Sequence, residues 1–205
     1  MLTLWGRENS TNVKKVLWCA EELGLTYQHI PLGGAFGGNQ DPDYLALNPN
    51  GLIPCLRDDE LVLWESNSIV RYLAAQYGQD SLYLADAKVR ASAEKWMDWA
   101  ISFATFFGPV FINMMRTPAD QRDRAAVEAN IERCESLLSI ADNALATQPW
   151  LSGEHFGVGD IPLGCIAYGW FGMPITRQPH PHLERWYQQL TTRPAFKSKV
   201  MIPLS

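Results

Sequence analysis

The sequence predicts an α/β segment over residues 1–78 followed by an all-α segment over residues 88–205. Three observations carry this expectation. Short strand-like runs at Leu2–Trp5, Thr26–Ile30, Ile53–Arg57 and Leu61–Trp64 are interleaved with helical periodicity in the first part. From Val89 onward nothing reads as a strand, and apolar residues recur at helical spacing over long stretches. The charge also divides: residues 1–78 hold 5 Lys/Arg and 9 Asp/Glu, net −4, whereas residues 79–205 hold 12 and 13, net −1.

Leu2–Trp5 is the first strand, followed by the polar loop Gly6–Asn12. Val13 to Leu23 forms a helix, since Val13, Val16, Leu17, Ala20 and Leu23 share one face, and Gly24 ends it. Thr26–Ile30 is the second strand, so a parallel pair with a right-handed crossover is expected. Gly33–Gly38 is a flexible loop, and Asp41–Leu47 a short helix with Pro42 in its first turn. Ile53–Arg57 and Leu61–Trp64 are joined through Asp58-Asp59-Glu60 as a hairpin. Ser66–Tyr77 is a helix with Ile69, Val70, Leu73 and Ala74 on its apolar face, stopped by Gly78. The order β-α-β-α-β-β-α is that of a thioredoxin-like domain.

Residues 79–87 read as a linker. A helical stretch then runs from Val89 to about Met115, with a kink expected at Gly108-Pro109. Pro118-Ala119-Asp120 starts a helix that continues to about Ala146, and Asp160–Trp170 and His182–Leu190 are shorter helices. The domains expected are therefore 1–78, a linker at 79–87, and an all-helical unit at 88–205.

Net charge is −5 with no basic run, which disfavours a nucleic-acid partner held through phosphates. The N-terminus lacks the basic and apolar regions of a signal peptide, and no stretch of eighteen apolar residues occurs, so no membrane partner is expected. Cys19, Cys55, Cys134 and Cys165 are scattered, as are the four histidines, with no spacing that suits a metal. Reduced thiols in a cytoplasmic protein are the expectation.

Chemistry concentrates in Pro49-Asn50-Gly51-Leu52-Ile53-Pro54 and in Glu65-Ser66. Asn50-Gly51 is a turn pair, and a proline entering a strand has no N–H for the ladder. An Ile53-Pro54 cis bond is plausible there and would leave the Ile53 N–H and C=O facing outward. Ser66 starts a helix whose exposed N–H groups suit a carboxylate. Together these features suggest a pocket for a small anionic peptide. A plain turn and a helix cap are the alternative for these words alone.

With this order of elements, the chain resembles the cytosolic glutathione transferases, in particular the bacterial theta-like and nu-like groups. The resemblance spans essentially the whole chain. It rests on Asn48–Pro54, on Trp64-Glu65-Ser66-Asn67-Ser68-Ile69-Val70-Arg71-Tyr72-Leu73, and on Phe156-Gly157-Val158-Gly159-Asp160-Ile161. The third word is structural, with Asp160 reaching back to a backbone N–H at the start of a helix.

The resemblance implies that glutathione is the co-substrate and that its thiol is the nucleophile. A free thiol has a pKa near 8.5, so only roughly 3% is thiolate at pH 7. Lowering it by about two units requires roughly 2.7 kcal/mol of preference for the anion, within reach of one or two donors at a helix N-terminus. Theta-like enzymes place a serine there and nu-like relatives a Thr-x-Asn pair, so Ser10 and Asn12 are expected as donors, with Thr11 as a second hydroxyl. The resemblance further places glutathione along Ile53 beside Pro54, with Glu65 on its ammonium and Ser66 on the γ-glutamyl carboxylate. A family lysine for the glycyl carboxylate is replaced here by Leu52, and Asn39 or Gln40 is expected in its stead. The electrophile pocket is expected from Arg7, Trp99, Phe103, Phe107 and Arg116, with Phe106 and Phe111 on other faces of the same helix. No metal is expected.

The implied activity is conjugation of glutathione to small electrophiles, of the detoxification type, in a homodimer. Reduction of disulfides or hydroperoxides by glutathione, as in nu-like relatives, is the alternative. A non-catalytic interaction module is the third reading. Such modules tend to lose the thiol donor or the Glu-Ser pair, and both are present here.

Overall fold

The computed structural model describes residues 1–79 and 81–204; Asp80, within the expected linker, and Ser205 lie outside the described residues. Four strands, β1 (Leu2–Trp5), β2 (Tyr27–Ile30), β3 (Cys55–Asp58) and β4 (Leu61–Trp64), form one mixed sheet in the order β2-β1-β3-β4. β1 and β2 run parallel, with Leu4 opposite His29; β3 is antiparallel to both β1 and β4, with Leu56 opposite Leu4 and Leu63. The parallel pair is bridged by α1 (Thr11–Glu22), and α2 (Pro42–Leu47) and α3 (Ser66–Tyr77) complete the βαβαββα order.

The expected strand at Ile53 begins two residues later. The ladder starts at Cys55, opposite Trp5, because Pro54 has no N–H to donate and the Ile53–Pro54 peptide is cis. The glycine-rich stretch, expected as a flexible loop, contains a 3₁₀ turn at Gly34–Phe36, closed by the Gly33 N–H on the Gly37 carbonyl at 2.7 Å.

The second half is helical: α4 (Ala87–Met115), α5 (Arg124–Leu145), α6 (Ile161–Gly172), α7 (Pro181–Thr192) and α8 (Pro194–Lys199). Asp86 caps α4 through the Lys88 and Val89 N–H groups. The helix stays continuous through Gly108-Pro109. The single helix expected from Pro118 to Ala146 is divided. A 3₁₀ turn at Ala119–Gln121 ends at Arg122, and α5 starts afresh with Asp123 accepting from the Ala126 N–H at 3.0 Å. The Arg122 guanidinium donates to the carbonyls of Met114 and Thr117 at the end of α4, which holds the break in place. The short helix α8 escapes a periodicity reading because six residues give too few repeats.

The core sits on α1, which packs against α3, α6 and α8. Trp18 lies at its centre, fully buried, edge-on to Phe196 at 4.8 Å and donating to Glu22 Oε1 at 2.8 Å. Gly164 of α6 lets the two helices approach: a Cβ there would stand 2.8 Å from the Trp18 ring. Asp160, also fully buried, accepts from the N–H groups of Leu151, Ser152 and Gly157 and from Trp186 Nε1. It ties the loop before α6 to α7 and, as expected from its motif, serves the fold. The two halves are fastened where Asn67 Nδ2 donates to the Met97 carbonyl at 2.7 Å and Arg71 pairs with Asp98 at 2.7 Å.

Candidate active site

A cleft of about 250 Å³ opens between the start of α1 and the C-terminal half of α4. Its α1 side carries Arg7, Ser10, Thr11, Asn12 and Lys15, and its α4 side Ala104, Phe107, Gly108, Phe111, Ile112 and Arg116, with Ile166 of α6 at the base. The sequence places polar donors and aromatic rings in one groove because α1 buries Val13, Val16 and Leu17 in the core and packs against α3, α6 and α8. That orientation turns the other side of its first turn toward α4.

Ser10 is the N-cap of α1, in extended conformation, yet its side chain makes no capping hydrogen bond. Its hydroxyl is therefore not consumed by the helix. Thr11 and Asn12 follow in the first turn, where backbone N–H groups lack intrahelical partners. Asn12 Oδ1 accepts from Ser66 Oγ at 3.3 Å, which leaves the Asn12 amide N–H groups as donors.

Ile53 lies beside this turn. Gly6 (φ 147°) and Gly33 (φ 80°) form its bed: added Cβ atoms would stand 3.4 Å and 3.2 Å from Ile53 side-chain carbons. The preceding turn is pinned by Tyr44 Oη and Asn48 Nδ2, which donate to the Leu52 carbonyl at 2.6 and 2.7 Å. Asn39 Nδ2 and Gln40 Nε2 both donate to the Gly51 carbonyl, at 2.8 and 3.4 Å. Each amide keeps a second N–H, and the exposed Leu52 side chain offers none.

Glu65 takes φ 72° at the start of α3, a left-handed backbone that a glutamate adopts only where the surroundings impose it. Its side chain is exposed, whereas Ser66 is buried. Lys15, buried at 5% exposure, donates from Nζ to Ser66 Oγ at 3.4 Å and to Asn67 Oδ1 at 3.5 Å. Burial holds its pKa below the usual lysine value.

On the opposite wall, Trp99, Phe103, Phe107 and Phe111 stack in a row along α4, with centroids 5.8, 6.1 and 5.6 Å apart. The cleft takes in only part of the expected pocket. Phe103 is fully buried against Trp170 and belongs to the core, and Trp99 lies beyond it, away from the cleft. Phe107 does reach the cleft, and so does Phe111. Phe111 was expected on another face, but its i+4 spacing from Phe107 was the available signal. Lys15, at i+4 from Thr11, was missed in the same way, because a lysine on a surface-spaced position reads as solvated.

Arg7 and Arg116 face the cleft from its two sides. Arg7 Nη1 donates to Asn9 Oδ1 at 2.6 Å, and Arg116 lies over the Phe111 ring at 5.4 Å. Burial and the nearby Arg116 charge hold the Arg7 pKa below the usual value. No cysteine among the described residues lines the cleft, and burial pushes Cys55 up to about 11 and Cys134 and Cys165 up to about 12. Among the described residues no cluster of His, Cys, Asp or Glu could hold a metal, and no helix is long and apolar enough to cross a membrane.

Comparison with known proteins finds the family described as glutathione S-transferase, N-terminal domain, over residues 1–75, and glutathione S-transferase, C-terminal domain, over residues 101–194. The chain is 53% identical to glutathione S-transferase GstB of Escherichia coli K12, with 100% of both chains covered. It is 31% identical to glutathione S-transferase 3 of Zea mays over 99% of this chain and 95% of that one. Among solved structures, the theta class glutathione S-transferase of Xanthomonas axonopodis pv. citri with glutathione bound matches at a TM-score of 0.96 and 54% identity. It covers 100% of this chain and 99% of that one.

Proposed function

This chain belongs to the glutathione S-transferase family, and from that premise we propose how its cleft binds glutathione and activates the thiol. Glutathione lies extended along Ile53, with its cysteinyl amide on the Ile53 backbone. Glu65 takes the γ-glutamyl ammonium, and Ser66 the carboxylate. A second N–H of Asn39 or Gln40 takes the glycyl carboxylate. Ser10 Oγ–H and an Asn12 N–H donate to the sulfur, with Thr11 as the second hydroxyl.

Such donors lower the thiol pKa because each hydrogen bond favours the anion. No strong base is needed. The thiolate then attacks carbon: a C–S bond forms and a C–halide bond breaks, or the thiolate adds to an activated alkene and the carbon takes a proton from solvent. The observation that carries this reading is the Ser10 hydroxyl. It stands at the helix start, on the cleft, with no capping bond of its own.

Phe107 and Phe111 supply an apolar wall for the electrophile, and Arg7 and Arg116 favour one bearing negative charge near the reacting carbon. Trp99 and Phe103 support that wall from behind. The engagement of Asn12 with Ser66 favours a second reading of the same site, glutathione-dependent reduction of disulfides or hydroperoxides, as an asparagine donor would serve it. Formation of oxidised glutathione with a disulfide or hydroperoxide substrate separates the two.

We also propose a cytoplasmic detoxifying homodimer. Four free, buried cysteines suit a reducing compartment. Leu61, Trp64 and Ile101, all exposed apolar side chains, suit a two-fold interface. The test of the site is ultraviolet absorbance of bound glutathione near the thiolate band across pH, for the intact enzyme, Ser10→Ala and Asn12→Ala. Ionisation well below pH 8 in the wild type, raised by either substitution, is expected. Failure to bind glutathione at millimolar concentration would sink the proposal.

A further inference from the structure

Lys15 combines burial, charge and an unusual set of neighbours. The residue is 5% exposed, and the hydrogen-bond partners of its ammonium are the neutral Ser66 Oγ and Asn67 Oδ1. Among the described residues no Asp or Glu oxygen lies within 4.0 Å of Nζ. A buried charge without an opposite charge is costly, and proteins seldom keep one unless something else supplies the partner.

The groups around it narrow what that partner is. Arg7 and Arg116 line the same cleft and are cationic, and the neighbouring Lys14 turns away to the Val200 carbonyl and the Tyr168 ring. Cys165 of α6 is a neutral thiol, its pKa pushed up to about 12. Glu65 precedes α3 and acts on Lys15 only at longer range. The side of Lys15 that meets α3 is the start of that helix, where the Ser66, Asn67 and Ser68 N–H groups have no intrahelical acceptor. The Ser66 hydroxyl accepts from Lys15 and donates to Asn12, so one chain of hydrogen bonds links Lys15, the start of α3 and the start of α1.

We infer that Lys15 is the buried counter-ion of the γ-glutamyl carboxylate of glutathione, adding a full positive charge behind the Ser66 N–H and hydroxyl. This rests on the glutathione reading above. The carboxylate fills the electrostatic need of the ammonium, and the ammonium fixes Ser66 and, through it, the Asn12 carbonyl. Lys15 is a positioning residue for the nucleophile and a charge partner for the other end of the peptide. Its cost falls on the protein without ligand and is recovered on binding.

The test compares two ligands by calorimetry: glutathione, and 4-aminobutyryl-cysteinyl-glycine, which lacks only the γ-glutamyl carboxylate. Wild type is expected to prefer glutathione strongly. Lys15→Met is expected to bind glutathione at least ~10-fold more weakly, as for loss of a charge-assisted bond, and to bind the shorter peptide as the wild type does. Lys15→Arg is expected to keep the preference. Without ligand, Lys15→Met is expected to melt no lower than wild type, since an apolar side chain of similar length removes an uncompensated charge. If Lys15→Met does not fold, Lys15→Gln and Lys15→Arg carry the same comparison. Equal loss for both ligands, or an undiminished preference for glutathione in Lys15→Met, overturns the inference. Wild type that binds neither peptide at millimolar concentration overturns the glutathione reading itself.

Discussion

Replacing Asp160 with alanine should unfold this enzyme at a much lower denaturant concentration without altering its chemistry. The carboxylate is fully buried and accepts four hydrogen bonds. Three of them, from Leu151 N–H at 2.7 Å, Trp186 Nε1 at 2.8 Å and Gly157 N–H at 3.0 Å, are of good length; the Ser152 N–H at 3.3 Å is weaker. Each buried donor left without an acceptor costs about 1–3 kcal/mol. The opposing effect is relief of carboxylate burial, which pushes the Asp160 pKa up from its ordinary value. The balance is a loss of about 3–5 kcal/mol, the range found when one member of a buried charged network is deleted. That is a large share of the ~5–15 kcal/mol of a typical domain, and it corresponds to a fall of roughly 6–20 °C in melting temperature. Urea unfolding followed by tryptophan fluorescence reads it directly, since Trp186 donates to the carboxylate. The pH dependence of the conjugation rate, measured well below the melting point, should be that of the wild type. A loss under about 1 kcal/mol would refute the claim that Asp160 holds the loop before α6. A shifted pH–rate profile would refute its assignment to the fold alone.

Three further outcomes are expected. Gly169→Ala would set a Cβ 2.9 Å from Phe107 Cζ and 3.4 Å from Phe111 ring carbons. Electrophile KM should therefore change while glutathione affinity, measured by calorimetry, holds, and the clash should outweigh the helix-propensity gain of about 1 kcal/mol in a melting experiment. Asp58 accepts from Tyr72 Oη at 2.7 Å and from Tyr77 Oη, which together hold its carboxyl below the ordinary carboxylate range. Its contribution is thus present above the unfolded pKa near 3.9 and lost as pH falls through the lower folded value, so the stability gap between wild type and Asp58→Asn should close on acidification. Arg116→Gln should raise KM for 4-(chloromethyl)benzoate about fivefold, the equivalent of roughly 1 kcal/mol, and leave KM for its methyl ester unchanged. Equal effects on both esters and acids would remove Arg116 from charge recognition.

Local signals in the chain were enough to determine the strand and helix order of the first half, the Asn50-Gly51 turn and the helix start at Ser66, and they made an Ile53–Pro54 cis peptide plausible. Each rests on nearest-neighbour chemistry: a proline without an N–H, a glycine with positive φ, or an apolar stripe of fixed period. The division between α4 and α5 was less legible. A Pro-Ala-Asp start looks the same whether one turn or seven follow it, and what ends the first turn is Arg122 reaching back to the carbonyls of α4. The cleft was decided by tertiary structure. Trp99, Phe103, Phe107 and Phe111 share one row on α4, yet only the last two line the cleft, and α6 covers Phe103 with Trp170. Lys15 gives the same lesson in reverse. Nothing in its neighbours along the chain marks it as buried, and only the packing of α1 against α3 and α6 removes it from water and sets its charge beside Ser66. Periodicity specifies which face of a helix is apolar, but burial and charge pairing depend on what another element places against that face.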